Sequence, residues 1–205
     1  MDYTSIAIGL GIVLVALAVH EAAHAWSADR LGDPTARLLG RVTLNPIRHI
    51  DPIGTVLMPA LMVATNLPLL GWAKPVPVNI SRLGHPRRDF MIVAAAGPLS
   101  NIAQAVVAAV LLRALFFSGA DPGIWGGILI WFMQINLILA FFNLIPIPPL
   151  DGGNVLAGLL PRPAAAMFER IRPFGFILLY ALVLTDVLFV LIVPPRNFMM
   201  ELLLP

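Results

Sequence analysis

Five long apolar stretches constrain this chain more than any other feature of its sequence. A helix needs about 20 mostly apolar residues to cross the hydrocarbon core of a membrane, and these stretches approach or exceed that length. They are residues 6–25, 53–70, 90–117, 124–142 and 174–193. The composition agrees, since 59% of the residues are apolar and only 12% are charged. A soluble domain carries about 25% charged residues, so the sequence predicts a membrane protein.

The stretches differ in how well they suit a membrane span. The first, third, fourth and fifth predict an all-α polytopic membrane protein with about four spanning helices. The second, residues 53–70, is interrupted by Pro59 and Pro68. Irregular backbone at membrane depth occurs where it is buried in protein or lines a cavity. We therefore expect residues 53–70 to form a re-entrant or interfacial segment.

Two shorter segments have patterns typical of β-structure. In residues 36–45, polar side chains alternate with apolar ones, and this alternation predicts a short strand. The prolines of residues 74–79 favour an extended backbone that could form an edge strand beside it. The sequence contains no internal repeat or linker, so we expect a single domain over residues 1–205.

The distribution of positive charge predicts the orientation in the membrane. Lys and Arg accumulate on the cytoplasmic side of short loops. If residues 53–70 re-enter, eleven of the 13 Lys and Arg residues fall on one side. Residues 30–50 and 72–88 then face the cytoplasm, and the N-terminus lies outside. The first basic residue is Arg30, so we also expect the first stretch to be a retained helix and not a removable signal.

The strongest functional signal is the sequence His20-Glu21-Ala22-Ala23-His24 at the end of the first stretch. Residues four apart lie on one face of a helix, so both imidazoles can bind one metal ion. Glu21 projects about 100° around the helix, where it can take a proton from a water molecule. The alternative is a polar helix end whose histidines bond to neighbouring carbonyl groups. Ionisable groups at membrane depth are costly and mostly functional, which favours a zinc site.

A catalytic zinc ion has three protein ligands, so the two histidines need a partner. The chain has no cysteine, which leaves the carboxylates. Asp151 follows a proline-rich run that begins at Asn143, and two glycines follow it. The prolines exclude a helix and the glycines permit close approach of the backbone. We therefore predict Asp151 as the third ligand, with Asp186 in the fifth stretch as the alternative.

Three motifs between residues 20 and 153 occur in an order that resembles a known family. They are His20-Glu21-Ala22-Ala23-His24, Ala96-Gly97-Pro98-Leu99-Ser100-Asn101 and Asn143-Leu144-Ile145-Pro146-Ile147-Pro148-Pro149-Leu150-Asp151-Gly152-Gly153. Together they resemble the site-2 protease family of intramembrane zinc metalloproteases, in a compact form without a PDZ or CBS domain. The resemblance implies hydrolysis of peptide bonds in or near the transmembrane helices of other proteins. It also implies one zinc ion per chain bound by His20, His24 and Asp151, with Glu21 as the catalytic base.

Further polar residues lie near the predicted ligands. Asn143, Pro148 and Asn154 flank the aspartate, and we expect them to contact the substrate. A side-chain amide there could hold an extended substrate strand or donate to a developing oxyanion, although a turn or cap role is the alternative. We assign Asn101 to capping or cross-linking of helices, and the small residues 94–97 to close helix packing.

These expectations define the cellular context. We expect a multi-pass protein of a prokaryotic cell membrane, with its active site nearer the cytoplasmic side. Its partners are the lipid bilayer and a transmembrane protein substrate, and the net charge of only +2 argues against nucleic-acid binding. Two alternatives remain from the residues alone. One is a zinc-binding membrane protein or transporter without protease activity, and the other is a structural membrane subunit without a metal. The sequence leaves the oligomeric state open.

Overall fold

A computed structural model describes residues 3–58, 61, 65, 72–119 and 121–204 of the chain. The described residues are mostly helical. The α-helices are α1 (Tyr3–Arg30), α2 (Thr35–Leu38), α3 (Pro86–Phe117), α4 (Gly123–Asn143), α5 (Asp151–Leu159), α6 (Arg162–Glu169), α7 (Gly175–Val183) and α8 (Val187–Leu203). Short 3-10 turns occur at Pro46–His49, Ile80–Arg82 and Arg172–Phe174, and a π-helical turn occurs at Pro52–Leu57.

Three helices, α1, α3 and α4, are long and apolar enough to cross a membrane. They correspond to the first, third and fourth apolar stretches. The fifth stretch is not one helix, because the chain bends by 78° between Val183 and Val187. At this bend the Thr185 hydroxyl donates to the carbonyl of Leu182 at 3.1 Å, a side-chain bond that competes with the helical pattern. By length and composition, the described residues therefore contain three candidate spans, or four if the bent pair is one span.

The central helix of the fold is α3, which packs against α1, α4 and α5. Buried alanines dominate the facing surfaces of α1 and α3, and such small side chains let helices approach closely. At the other end, Leu112, Met133, Leu137 and Met200 form a buried cluster that joins α3, α4 and α8. The three long helices are thereby fixed relative to one another.

The prediction of a short β-strand in residues 36–45 is wrong. Its first residues belong to α2, and no strand is present in the described residues. The reason is Asp33, whose Oδ1 accepts hydrogen bonds from the Thr35 hydroxyl at 2.5 Å and the Thr35 N–H at 3.1 Å. This turn starts α2, and Arg41 N–H then closes the loop onto Ala36 O at 2.8 Å.

Asp33 itself is fully buried outside the long helices. Its Oδ2 also accepts the Asn79 N–H at 2.6 Å, so it joins the end of α1 to the second predicted β segment. Burial opposes ionisation of Asp33, but these hydrogen bonds outweigh it and hold the pKa of the carboxyl below its ordinary value. Residues 74–79 lie against loops and do not pair with a strand in the described part of the chain.

The predicted re-entrant segment, residues 53–70, lies largely outside the described residues. Its two flanks are described. The Asp51 carboxylate caps the turn Pro52–Leu57 by accepting the N–H groups of Ile53 and Gly54 at 3.0 and 2.7 Å. Trp72 N–H then donates to Gly54 O at 3.1 Å, so the chain leaves and returns at neighbouring points.

Candidate metal centre

His20 and His24 lie one turn apart on α1, both buried against α3. Their Nε2 atoms are 3.0 Å apart. The Nδ1–H of His24 donates to the carbonyl of Val93 at 2.7 Å, and the Nδ1–H of His20 donates to Asn101 Oδ1 at 2.6 Å. Each imidazole in its neutral form thus carries its proton on Nδ1, which leaves the Nε2 lone pairs of both residues directed to one place.

The partners on α3 form a single stripe of residues spaced by four. Val93, Gly97 and Asn101 follow one face of α3, just as His20 and His24 follow one face of α1. His20 pairs with Asn101 and His24 pairs with Val93, so α1 and α3 run antiparallel here. The two histidines lie four residues apart on α1 and their two partners eight residues apart on α3, and these hydrogen bonds fix both imidazole planes.

Asp151 reaches the histidines from the first residue of α5. Its Oδ2 lies 3.2 Å from His20 Nε2 and 3.3 Å from His24 Nε2. The following glycines make this approach possible, because a Cβ at Gly152 would lie 2.2 Å from the carbonyl oxygen of Leu144. The start of α5 therefore packs directly on the backbone of the proline-rich run.

Two Nε2 atoms and one carboxylate oxygen meet at this point, and all three are electron-pair donors in the forms that bind a metal. Two imidazole lone pairs and one carboxylate oxygen repel one another, and a cation at their centre removes that repulsion. Their separations of 3.0, 3.2 and 3.3 Å can be compared with a zinc site. Tetrahedral zinc with ligand bonds of about 2.0–2.1 Å has ligand atoms about 3.3 Å apart. The donor set and its dimensions fit zinc.

Gly97 provides room for an ion beside the two histidines. A Cβ at this position would lie 2.4 Å from His24 Nε2 and 2.5 Å from His20 Nε2. Such distances are too short for non-bonded atoms, so only glycine leaves the space on the α3 side of the imidazoles open. We explained residues 94–97 by close helix packing, and that explanation did not include the position of Gly97 beside the two histidines.

Glu21 lies beside the two histidines and opens onto the same cavity. The ligand atoms of His20, Glu21 and His24 all lie within 4.8 Å of one another. The cavity has a volume of about 370 Å³ and is lined by these three residues, Asp151 and many apolar side chains. Glu21 Oε2 accepts a hydrogen bond from the N–H of Val76 at 3.1 Å. A carboxylate, three ligand atoms and an apolar enclosure thus share one space.

The remaining predicted site residues differ in whether they line the cavity. Asn143 and Asn154 line the cavity, whereas Pro148 does not and Pro149 does. Asn143 Nδ2 donates to Leu139 O at 2.9 Å, and Asn154 Oδ1 accepts from Arg172 at 2.9 Å. The alternative ligand, Asp186, lies at the exposed start of α8 and is not part of the cavity wall.

Sequence reasoning assigned Asn101 to capping or cross-linking of helices, but it missed the contact of Asn101 with His20 and missed Asn136 altogether. Asn101 Nδ2 donates to Asn136 Oδ1 at 2.8 Å, and Asn136 Nδ2 donates to the Phe132 carbonyl at 3.0 Å. Both asparagines are fully buried, so a chain of amides links α4 to His20 through α3. A polar Asn136 inside the fourth apolar stretch is a signal that could have identified it.

Comparisons with known proteins give a consistent result. The model of Peptidase family M50 matches residues 118–184, which include Asp151. YwhC of Bacillus subtilis (strain 168) is 38% identical over 179 residues, covering 84% of this chain and 78% of YwhC. Rip2 of Mycolicibacterium smegmatis and Rip2 of Mycobacterium tuberculosis (strain H37Rv) are each 32% identical over 177 residues, covering 85% of this chain and 66% of Rip2. The names of all three provisionally class them as zinc metalloproteases. No solved structure gives a significant match.

Proposed function

Because this chain belongs to peptidase family M50, we propose that it is a zinc-dependent endopeptidase that hydrolyses peptide bonds in or near the transmembrane helices of other membrane proteins. Its apolar helices make it an integral membrane protein. The observation that carries the proposal is the convergence of His20, His24 and Asp151 beside Glu21 in one apolar cavity. We take residues 1–205 as one domain with this activity.

His20, His24 and Asp151 would hold one zinc ion per chain. That ion would act as a Lewis acid toward the scissile carbonyl and would make a water molecule acidic enough to react near neutral pH. The hydrogen bonds from Nδ1 of both histidines keep the imidazoles in the tautomer that a metal requires. Gly97 keeps the space for the ion open.

Glu21 is the proposed general base and acid. Its carboxylate takes a proton from the attacking water and then delivers it to the nitrogen of the leaving amine. The first transfer forms the nucleophile, and the second converts the amide nitrogen into a leaving group. Glu21 is next to His20 in the chain but is not one of the three proposed ligands, so the two tasks belong to separate side chains.

The substrate must reach this cavity with an unwound backbone. Every carbonyl of an intact helix is bonded and shielded by its neighbours, so a transmembrane substrate has to open locally before hydrolysis. The extended residues 74–79 and the proline-rich run before Asp151 border the cavity and could pair with an opened strand. We assign Asn143 and Asn154 in the cavity wall, and Pro148 behind it, to this binding region.

We also propose that residues 30–50 and 72–88 both face the cytoplasm of a prokaryotic cell, with the active site nearer that side. The hydrogen bond between Trp72 and Gly54 supports this topology, since the ends of a spanning segment would lie about 30 Å apart. The antiparallel contacts of α1 and α3 support it too, because one full span between them would make them parallel.

Single cysteines test this topology in a chain that has none of its own. Cysteines that replace Arg37 and Arg82 should both react with an impermeant thiol reagent added from the cytoplasmic side. The reagent added from outside should label neither. Labelling from opposite sides would mean that residues 53–70 span the membrane, and the topology would be wrong.

A reporter protein with a transmembrane segment tests the activity. Co-expressed wild-type protein should cleave it, and Glu21→Gln should reduce the rate by about 10²–10⁴-fold, the usual contribution of general acid–base catalysis. Zinc content should stay at one ion per chain. Glu201→Gln on exposed α8 is the matched control and should cleave normally. Bound zinc without cleavage by the wild-type protein would favour a non-proteolytic zinc protein, and equal cleavage by wild type and Glu21→Gln would remove Glu21 from the role of base.

A further inference from the structure

An extended segment, residues 72–79, forms one wall of the site cavity and is tied to the loop before it. Trp72 uses both its backbone groups, donating to Gly54 O at 3.1 Å and accepting from the Thr55 hydroxyl at 2.9 Å. Lys74 N–H donates to His49 O at 2.8 Å. The segment therefore depends on this loop for its position, and not on strand pairing.

The buried residue Arg41 also holds this segment in place. The residue is only 7% exposed, and its terminal nitrogen donates to Lys74 O at 2.6 Å and reaches Pro75 O at 3.5 Å. Among the residues that the structure describes, no carboxylate lies within ion-pair distance of this guanidinium, and its Nε–H has no partner. Burying a charge without a counter-ion is costly, so a purely structural loop would be better served by a neutral donor.

Two residues further along, the same segment contacts the proposed base. Val76 N–H donates to Glu21 Oε2 at 3.1 Å. Prolines precede and follow Val76, and proline has no N–H group, so Val76 supplies the one backbone donor of residues 75–77. A shift of the segment by one residue would present a proline to Glu21 and would leave the carboxylate without this bond.

We propose that Arg41 is a positioning residue for the reaction. It grips the carbonyls of Lys74 and Pro75, and thereby holds Val76 N–H against Glu21 so that the base stays directed into the cavity. Arg41 is not part of the cavity wall, so it acts through the segment and not on the substrate. The inference rests on the proposed function, because it assigns Glu21 the role of base.

The guanidinium group suits this task better than other side chains. It is planar, permanently charged and presents several N–H donors, so it can hold two successive carbonyl oxygens at once. A lysine has a single flexible ammonium, and a glutamine has a neutral amide that reaches less far. Arg41→Lys should therefore retain part of the effect, and Arg41→Gln should retain little.

Amide hydrogen exchange of residues 72–79 tests the first half of the proposal without any substrate. In Arg41→Gln the amides of Lys74 and Val76 should exchange about 10-fold faster than in wild type, because exchange follows local opening. Glu21→Ala should accelerate Val76 but not Lys74, since it removes only the acceptor of Val76. The matched control is Arg37→Gln, whose arginine is exposed and paired with Asp29, and it should leave both amides unchanged.

Cleavage kinetics of the same zinc-loaded variants test the second half. We expect Arg41→Gln to lower kcat by about 10-fold or more with zinc content unchanged, with an intermediate value for Arg41→Lys and wild-type kinetics for Arg37→Gln. Faster exchange with unchanged kcat would overturn the proposal, and so would reduced kcat with unchanged exchange. Loss of zinc or of folding in Arg41→Gln would also overturn it if Arg41→Lys behaves as wild type in both assays. If Glu21→Gln cleaves normally, the proposed function fails and the exchange result still reports whether Arg41 holds the segment.

Discussion

Two aspartates, Asp33 and Asp151, are both largely removed from water and face opposite chemical surroundings. Asp33 accepts hydrogen bonds from the hydroxyl and N–H of Thr35 and from the N–H of Asn79. Asp151, whose side chain is 16% exposed, faces the Nε2 atoms of His20 and His24 at 3.2 and 3.3 Å. In the described residues no N–H or O–H group donates to Asp151 once both histidines carry their protons on Nδ1.

The comparison shows two ways to bury an anion. At Asp33 the protein supplies the donors, so the carboxylate is complete and ties α1 to the loops that follow. At Asp151 the protein supplies further acceptors, so the cluster is complete only with a cation. Burial alone does not separate a structural aspartate from a candidate metal ligand, whereas the polarity of the facing atoms does.

The largest expected effect separates the two aspartates by metal content. Asp151→Ala should lower zinc affinity by more than about 100-fold, since loss of even a hydrogen-bond partner of a ligand costs about 10–100-fold. Asp33→Ala should bind zinc as wild type does. Metal analysis and competition with a chelator measure both. Asp186→Ala is the control, and full zinc occupancy in Asp151→Ala would remove Asp151 from the ligand set.

The next effect extends the comparison to the partners of the histidines. Asn101→Leu keeps the side-chain size but removes the acceptor of His20 Nδ1–H, so the imidazole loses its orientation. We expect zinc affinity to fall by about 10–100-fold in a chelator competition assay. Gln104 lies one turn further along α3, and its side chain donates to the backbone carbonyl of Ala16, so Gln104→Leu is the control. It should bind zinc normally, and an equal loss in both variants would point to general damage of α3.

Substitution by asparagine should change the free energy of unfolding in opposite directions at Asp33 and Asp151. In metal-free protein, Asp33→Asn should lower the free energy of unfolding by about 1–3 kcal/mol, because an amide N–H2 replaces an acceptor among donors. At a pH at which both imidazoles are neutral, Asp151→Asn should raise it by about 1 kcal/mol, because the new amide can donate to the imidazole lone pairs. Thermal unfolding in detergent with a chelator present measures both. Destabilisation at both positions would contradict the distinction.

The smallest effect is a dependence on pH at Asp33. A carboxyl whose pKa is lowered by folding stabilises the protein above the pKa of the unfolded state, and this contribution is lost as the pH falls through the folded value. The stability difference between wild type and Asp33→Asn should therefore be constant near neutral pH and shrink below about pH 4. A difference that grows toward acid would show that these hydrogen bonds do not favour the ionised form.

The long helices and the spacing of the two histidines could be predicted from the sequence, because both depend on residues that are close together in the chain. The spacing of His20 and His24 requires only one helix, and three of the four long apolar stretches became single helices. The roles of His20, His24, Glu21 and Asp151 toward zinc stay predictions, although the geometry now fits them. The strand in residues 36–45 failed because Asp33 forms a turn with Thr35 that residue alternation does not register.

Other features could not be read from the chain because they join distant segments. The bond from Asn101 to Asn136 spans 35 positions, and the bond from Val76 to Glu21 spans 55. Neither pair has a local pattern, since each depends on which helix faces meet in three dimensions. The bend between α7 and α8 was also missed, because the apolar run is continuous there and the hydrogen bond of the Thr185 hydroxyl is not visible in the pattern of apolar residues.

Because Gly97 has only a hydrogen atom as its side chain, a single substitution at this position offers a way to inactivate the protein. A single added carbon would press against Nε2 of both histidines, at 2.4 and 2.5 Å. Gly97→Ala would therefore block the space for an ion, with all three proposed ligands and Glu21 still present in the chain. Such a variant would distinguish the effects of the folded protein in the membrane from the effects of the cleavage reaction. Access of an ion to the centre therefore depends on a residue that makes no bond to it and contributes only the absence of a side chain.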